Sequence, residues 1–199
     1  MAKSVRIINP VTRNIGRGMA VPTPLVTRIG NWEKVKTMLA TLDATVLAGF
    51  RAGQLSAAKK LKRAIRRNIR ENGGSLHWVP LSEKYMEYKE ELGFDPNRML
   101  YMTGAYYWNI TIWDNGFNYF VGVKKGVHTR NFFTGGSITL GQIASILEHG
   151  SAARNIPARP LWAPTFRQMG GANRIKGLIL WHIRNHIRMA YGVTAKITF

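Results

Sequence analysis

The chain has 199 residues, 45% of them hydrophobic, no cysteine, and a formal net charge of +19 at pH 7. That size predicts one domain with an ordinary core, and the missing cysteine excludes disulfides, thiolate metal sites and a cysteine nucleophile. The charge predicts an anionic partner: nucleic acid, acidic lipid or an acidic protein surface.

No apolar run approaches the ~20 residues of a membrane span. The opening Met1-Ala2-Lys3-Ser4-Val5-Arg6 lacks the apolar centre of a signal peptide. The expectation is a soluble chain, cytosolic when made.

Residues 1–30 hold three Pro and three Gly and show no helical or strand period. They read as an extended arm, with a short strand at Ser4–Ile8, that either stays mobile or orders against a neighbouring subunit. Residues 31–199 then form a single α+β domain. Asn31 is a helix N-cap candidate, although Lys34 rather than Glu follows three residues later. From Trp32 the apolar positions step by three and four through Val35, Leu39, Leu42, Val46, Phe50, Ala57, Leu61, Ile65 and Ile69. This is one stripe of a long helix, stopped at Asn72-Gly73-Gly74. At 1.5 Å per residue it is about 60 Å long and outruns a small domain, so part of it packs on another chain. Gly49 and Gly53 inside it mark a bend, a break or a close helix crossing.

Lys59, Arg63, Arg66, Arg67 and Arg70 share a face of this helix. They would contact DNA phosphates, or acids on a partner protein, or simply water. Acids concentrate next: Glu71, Glu83, Glu87, Glu90, Glu91 and Asp95 fall within residues 71–95. Ser82 reads as the N-cap of a helix there, with Tyr85, Met86 and Leu92 facing the core and Trp78 as a packing lid. One acidic patch on a basic remainder lets copies of a chain pair with each other.

Residues 106–123 are aromatic and alternating around Asn115-Gly116, a hairpin signature. Residues 124–139 are polar and glycine-bearing and read as a protruding loop or hairpin, with Phe132 and Phe133 inserted into a neighbour. Gly135-Gly136-Ser137 lacks the Lys-Ser/Thr of a phosphate loop. Leu140–His149 reads as a helix. The prolines of Ile156-Pro157-Ala158-Arg159-Pro160-Leu161 impose a fixed extended connector with Arg159 projecting from it. A helix over 172–191 follows, with Ile175, Leu178, Ile179, Ile183, Ile187 and Ala190 as its stripe and Gly192 at its end. Thr194–Phe199 alternates as a final edge strand.

No catalytic or metal constellation emerges, and the reading assigns no cofactor. His182 and His186 have the i, i+4 spacing of a metal pair, but Arg184 and Arg188 flank them and no third ligand is near in sequence. Glu148 and His149 are helix neighbours that do not face each other. Asp114 and Glu148 are the only acids after residue 95, too few for two-metal phosphoryl chemistry. The chain is not expected to be an enzyme.

In order, Trp78-x-Pro80-Leu81-Ser82 with Tyr85 and Lys89, Leu100 with Thr103-Gly104, the aromatic hairpin, Ile143-x-x-x-Leu147-Glu148-His149-Gly150 and Ile156-Pro157-Ala158-Arg159-Pro160-Leu161 form one pattern over about residues 75–170. It resembles the tail-completion and virion-morphogenesis proteins of tailed bacteriophages. The resemblance implies an α+β fold, with a long N-terminal helix packed on a small antiparallel β-sheet and here an additional C-terminal helix. It also implies a neck protein without cofactor. Copies would form a homo-oligomeric ring, hexamer or dodecamer, between portal or connector and tail proteins in the virion, assembled in the host cytoplasm. Genomic DNA would touch it transiently and non-specifically. Glu83, Glu87, Glu90, Phe132, Phe133, Glu148 and Arg159 are then the interface candidates. The arm, the insertion at 124–139 and the basic helix 173–191 exceed the minimal family pattern. The alternative is a basic nucleic-acid-binding protein that uses helix 59–70.

Overall fold

The computed structural model describes residues 32–124, 126–131 and 135–192. The N-terminal arm, Asn31, Phe132, Phe133 and the strand expected at 194–199 lie outside the described residues. Two compact units divide the chain, residues 1–44 and 45–199.

Six helices and two hairpins are described: α1 (Trp32–Arg70), α2 (Glu83–Glu91), α3 (Ala105–Trp108), β1 (Ile110–Asp114), β2 (Tyr119–Val123), β3 (His128–Arg130), β4 (Ser137–Thr139), α4 (Leu140–His149), α5 (Trp162–Gln168) and α6 (Gly171–Tyr191). The fold is α+β, with the long α1 packed on a small antiparallel region and α6 added at the C-terminal end. That region is two separate two-stranded sheets, β1-β2 and β3-β4.

In the first unit, Val35 is 38% and Leu39 62% exposed, whereas Leu42 of the same stripe is half-buried. Lys36 pairs with Glu33 one turn away. In the second unit the stripe continues as core. Ile65 and Ile69 are fully buried with Trp78, Tyr106, Tyr107, Ile110 and Leu161. The glycines of α1 mark a close crossing, not a bend. A Cβ on Gly53 would stand 2.6 Å from the Ile179 Cα of α6. Ile179 and Ile183 thus seat against glycine backbone, and the helices approach more closely than side chains would allow.

Polar latches close the end of α1. The Asn68 amide, 3% exposed, donates to Thr165 Oγ1 and Gln168 Oε1 of α5. Asn72 donates to Asn97 O and accepts from Met99 N. Buried polar groups need such partners. Arg51 and Gln54, one turn apart on α1, reach Asp114 and Asn118 at the hairpin turn.

The aromatic run departs from its expected form. Residues 105–108 make a helical turn rather than strand, because Gly104 opens a turn that Thr103 caps through Ala105 N. The strand begins at Ile110 and registers Ile110 with Val123 and Trp113 with Phe120. Asn115-Gly116 sits in a four-residue turn, in which Asn115 Oδ1 accepts from Phe117 N and Asn118 N. The insertion folds as the hairpin β3-β4, and Thr139 with Gln142 forms a reciprocal capping box at the start of α4.

Candidate functional site

The sequence segments that carry the resemblance meet at one place. The chain leaves α4 at Gly150, whose φ of +75° and crowded surroundings suit only glycine: a Cβ there would lie 2.8 Å from Ala158 N. Ser151 bridges Ile156, and Arg159 N donates to Leu147 O at 2.7 Å. The proline connector is therefore folded back along the end of α4.

Arg159 projects from the connector toward Val79 and Pro80. It points inward and is 5% exposed. Its Nε donates to Val79 O at 3.0 Å and its Nη2 to Pro80 O at 3.1 Å. In return, Trp78 Nε1 donates to Pro160 O at 2.9 Å. Two extended proline-bearing segments thus clasp each other, each through the side chain of one and the backbone carbonyls of the other. The rigid guanidinium fork suits two carbonyls in fixed positions. Burial lowers the Arg159 pKa from its ordinary value, and the neighbouring Tyr85 acts in the opposite direction.

Glu148 completes the clasp. Its Oε2 accepts from Leu161 N at 2.7 Å and Trp162 N at 3.3 Å, at the start of α5 where amides lack helical partners. Burial, reinforced by the Glu148 charge, pushes the Tyr106 hydroxyl far above its usual range, so it stays protonated. Glu148 and His149 are not paired: His149 Nδ1 lies by Ser145 O. The cluster holds backbone in place.

Around this centre the surface charge is uneven, and α2 is mainly acidic although Lys84 is exposed on it. Glu83, Glu87, Glu90 and Glu91 of α2 are all exposed. Lys89, which would have offset them, is 1% exposed and donates inward to Asp95 O and Arg98 O. Burial lowers its pKa. The Ser82 backbone starts α2, but its side chain makes no cap, and Leu92 is 41% exposed rather than in the core.

On α1, Lys59, Arg63, Arg67 and Arg70 are exposed, but Arg66 is not free for a phosphate. Its Nη2 donates to Trp108 O and Ile110 O, and its guanidinium lies 5.1 Å from the Tyr107 ring centroid. On α6, Arg174, Trp181, Arg184 and Arg188 are exposed and fall within about a quarter turn of each other. His186 Nδ1 lies 2.9 Å from His182 O, and burial lowers the His182 pKa, with His186 and Lys60 adding to the shift.

Among the described residues, no group of three or more His, Asp or Glu could hold a metal ion, and no helix is long and apolar enough to cross a membrane. A shallow open depression lined by Ser137, Gln142, Ser145 and Arg154 contains no carboxylate. Sequence reasoning missed the inward use of Lys89 and Arg66 and the exposure of Trp108. The run Y-Y-W-N had read as strand, and Thr103-Gly104 was the available sign of a helical start.

No protein family, curated protein or solved structure matches the chain.

Proposed function

We propose that this chain is a structural neck protein of a tailed bacteriophage, forming a ring at the head–tail junction through which DNA passes. The observation that carries the reading is the clasp. Trp78-Val79-Pro80, Glu148-His149-Gly150 and Pro157–Leu161, which bear the resemblance, interlock through backbone carbonyls and amides. Such a device fixes the directions of α2, α4 and α5, as repeated docking against identical neighbours requires.

The uneven surface charge supplies the contact. The exposed glutamates of α2 complement the Arg174, Arg184 and Arg188 face of α6 on the next copy, with Trp181 as an aromatic anchor among the arginines. Two different faces meeting make a heterologous contact, which closes into a ring when the rotation between copies permits. Glu148 and Arg159 act behind this interface by positioning it. Phe132 and Phe133, the arm, the portal or connector and tail proteins complete the assembly in this reading, which places the protein in the virion and needs no cofactor or bond-making step.

Sedimentation velocity of the full chain at low and high salt tests the proposal. The expected result is a discrete ring-sized species that dissociates as salt screens the contact. A monomer at every salt that also fails to bind isolated heads or tails contradicts it. The second reading, a basic nucleic-acid-binding module, is favoured by the cations of residues 59–70, none of which forms an ion pair among the described residues.

A further inference from the structure

Seven cations occupy residues 59–70: Lys59, Lys60, Lys62, Arg63, Arg66, Arg67 and Arg70. Among the described residues the ion pairs are Lys36–Glu33, Arg51–Asp114 and Arg98–Asp95, and none involves this cluster. A surface of like charges without internal counterions is costly in isolation and favours an external polyanion.

What distinguishes this patch is an aromatic ring set beside it. Trp108 is 63% exposed, yet it is not loose. Its ring lies edge-on to Tyr107 at 4.9 Å between centroids, and Arg66 lies 5.8 Å from its centroid. Gly104 leaves the space it needs: a Cβ there would stand 3.0 Å from the indole. Arg66 also donates to Trp108 O, tying the indole-bearing turn to α1. On α1, Lys62, Arg63 and Arg70 are the i±3 and i±4 neighbours of Arg66. A pre-oriented indole thus stands at the edge of a cationic helix face.

We propose that this surface binds single-stranded nucleic acid, with Lys59, Arg63, Arg67 and Arg70 following the phosphates and Trp108 stacking on an unpaired base. Phosphate contact alone would not need the ring, and a duplex hides its base faces. An exposed aromatic beside a basic track is the arrangement that recognises unstacked bases without sequence preference. An acidic protein segment would use the cations but gain little from an indole face. The inference stands apart from ring formation, because every residue involved belongs to one copy.

Fluorescence anisotropy of a short labelled oligothymidine and of a duplex of equal length, titrated with the full chain, tests it. The single strand binds more tightly, and its affinity falls steeply between about 50 and 200 mM salt. Trp108→Ala weakens single-strand binding roughly tenfold and leaves duplex binding nearly unchanged, whereas Trp108→Phe retains most of the affinity. Arg63→Gln with Arg67→Gln lowers the salt dependence for both ligands. Circular dichroism confirms that each variant is folded, as expected for changes at exposed positions. Tighter duplex binding, an unaltered single-strand affinity in Trp108→Ala, or equal displacement by polyglutamate overturns the proposal; the last result would assign the patch to an acidic protein.

Discussion

Gly49 of α1 stands against Ile183 of α6 so closely that a Cβ on the glycine would lie 2.7 Å from the Ile183 Cα. Gly53 repeats the relationship at Ile179. Helix propensity alone favours replacing either glycine, since Ala is better by roughly 1 kcal/mol in a helix interior. Packing reverses the sign, because the obstructing atom is backbone and cannot rotate away.

Gly53→Ala is therefore expected to destabilise the protein by about 1–3 kcal/mol net, the usual range for overpacking. Chemical denaturation monitored by circular dichroism measures it. Gly177, on α6 with nothing near its Cβ position, is the control. Gly177→Ala is expected to be neutral or stabilising by up to about 1 kcal/mol.

The clasp yields a graded series. Arg159→Met removes both donors from Val79 O and Pro80 O and is expected to cost about 1–3 kcal/mol, since two part-buried hydrogen bonds from a charged group are lost. Arg159→Lys keeps the charge but loses the fork, and falls between Met and wild type. Trp78→Phe keeps most of the apolar bulk and loses one hydrogen bond, for about 1 kcal/mol. Glu148→Gln, which retains an acceptor for Leu161 N, costs less than Glu148→Ala. Thermal unfolding of the set in one buffer gives the order, and equal effects for Arg159→Lys and Arg159→Met would contradict the fork geometry.

Much of this architecture was legible because periodicity and breakers agreed. The stripe from Leu61 to Ile69, the glycine stop at Gly73 and the helices ending at His149 and Tyr191 all follow local rules. The prolines at 157 and 160 announced an extended connector for the same reason. What sequence could not show was direction. Arg159, Lys89 and Arg66 are charged residues in basic or acidic surroundings, and such residues are usually solvated. All three point at backbone carbonyls contributed by other segments: Val79 and Pro80, Asp95 and Arg98, Trp108 and Ile110. Those acceptors are set by tertiary packing, which no local period encodes. The helical turn at 105–108 was hidden for another reason, because Tyr-Tyr-Trp has high strand propensity that Thr103-Gly104 overrides.

Lys89 offers a test of an inward cation. Burial lowers its pKa, so the folded state binds this proton less tightly than the unfolded chain does. Stability from this group therefore rises with pH through the window between the lowered value and the ordinary lysine value. Lys89→Met removes that pH dependence and leaves Asp95 O and Arg98 O without their donor, at a cost of about 1–3 kcal/mol near neutral pH. Unfolding free energy measured at neutral and alkaline pH, for both proteins, reads the two effects separately.

The interface proposal predicts a charge-swap rescue. Glu83→Lys with Glu87→Lys and Glu90→Lys leaves the melting temperature within a few degrees, because these side chains are exposed. The triple variant nonetheless fails to assemble. Arg174→Glu with Arg184→Glu and Arg188→Glu fails likewise. Combining both sets in one chain restores a heterologous contact of reversed polarity, and light scattering recovers the larger species. No recovery would show that α2 and α6 do not meet.

Single-particle imaging of the full chain in negative stain at low salt addresses the central claim most directly. The account predicts closed rings of six or twelve copies with a central opening, lost in the Glu83, Glu87 and Glu90 triple variant. Isolated single copies in every class, for a chain that circular dichroism shows to be folded, would contradict it.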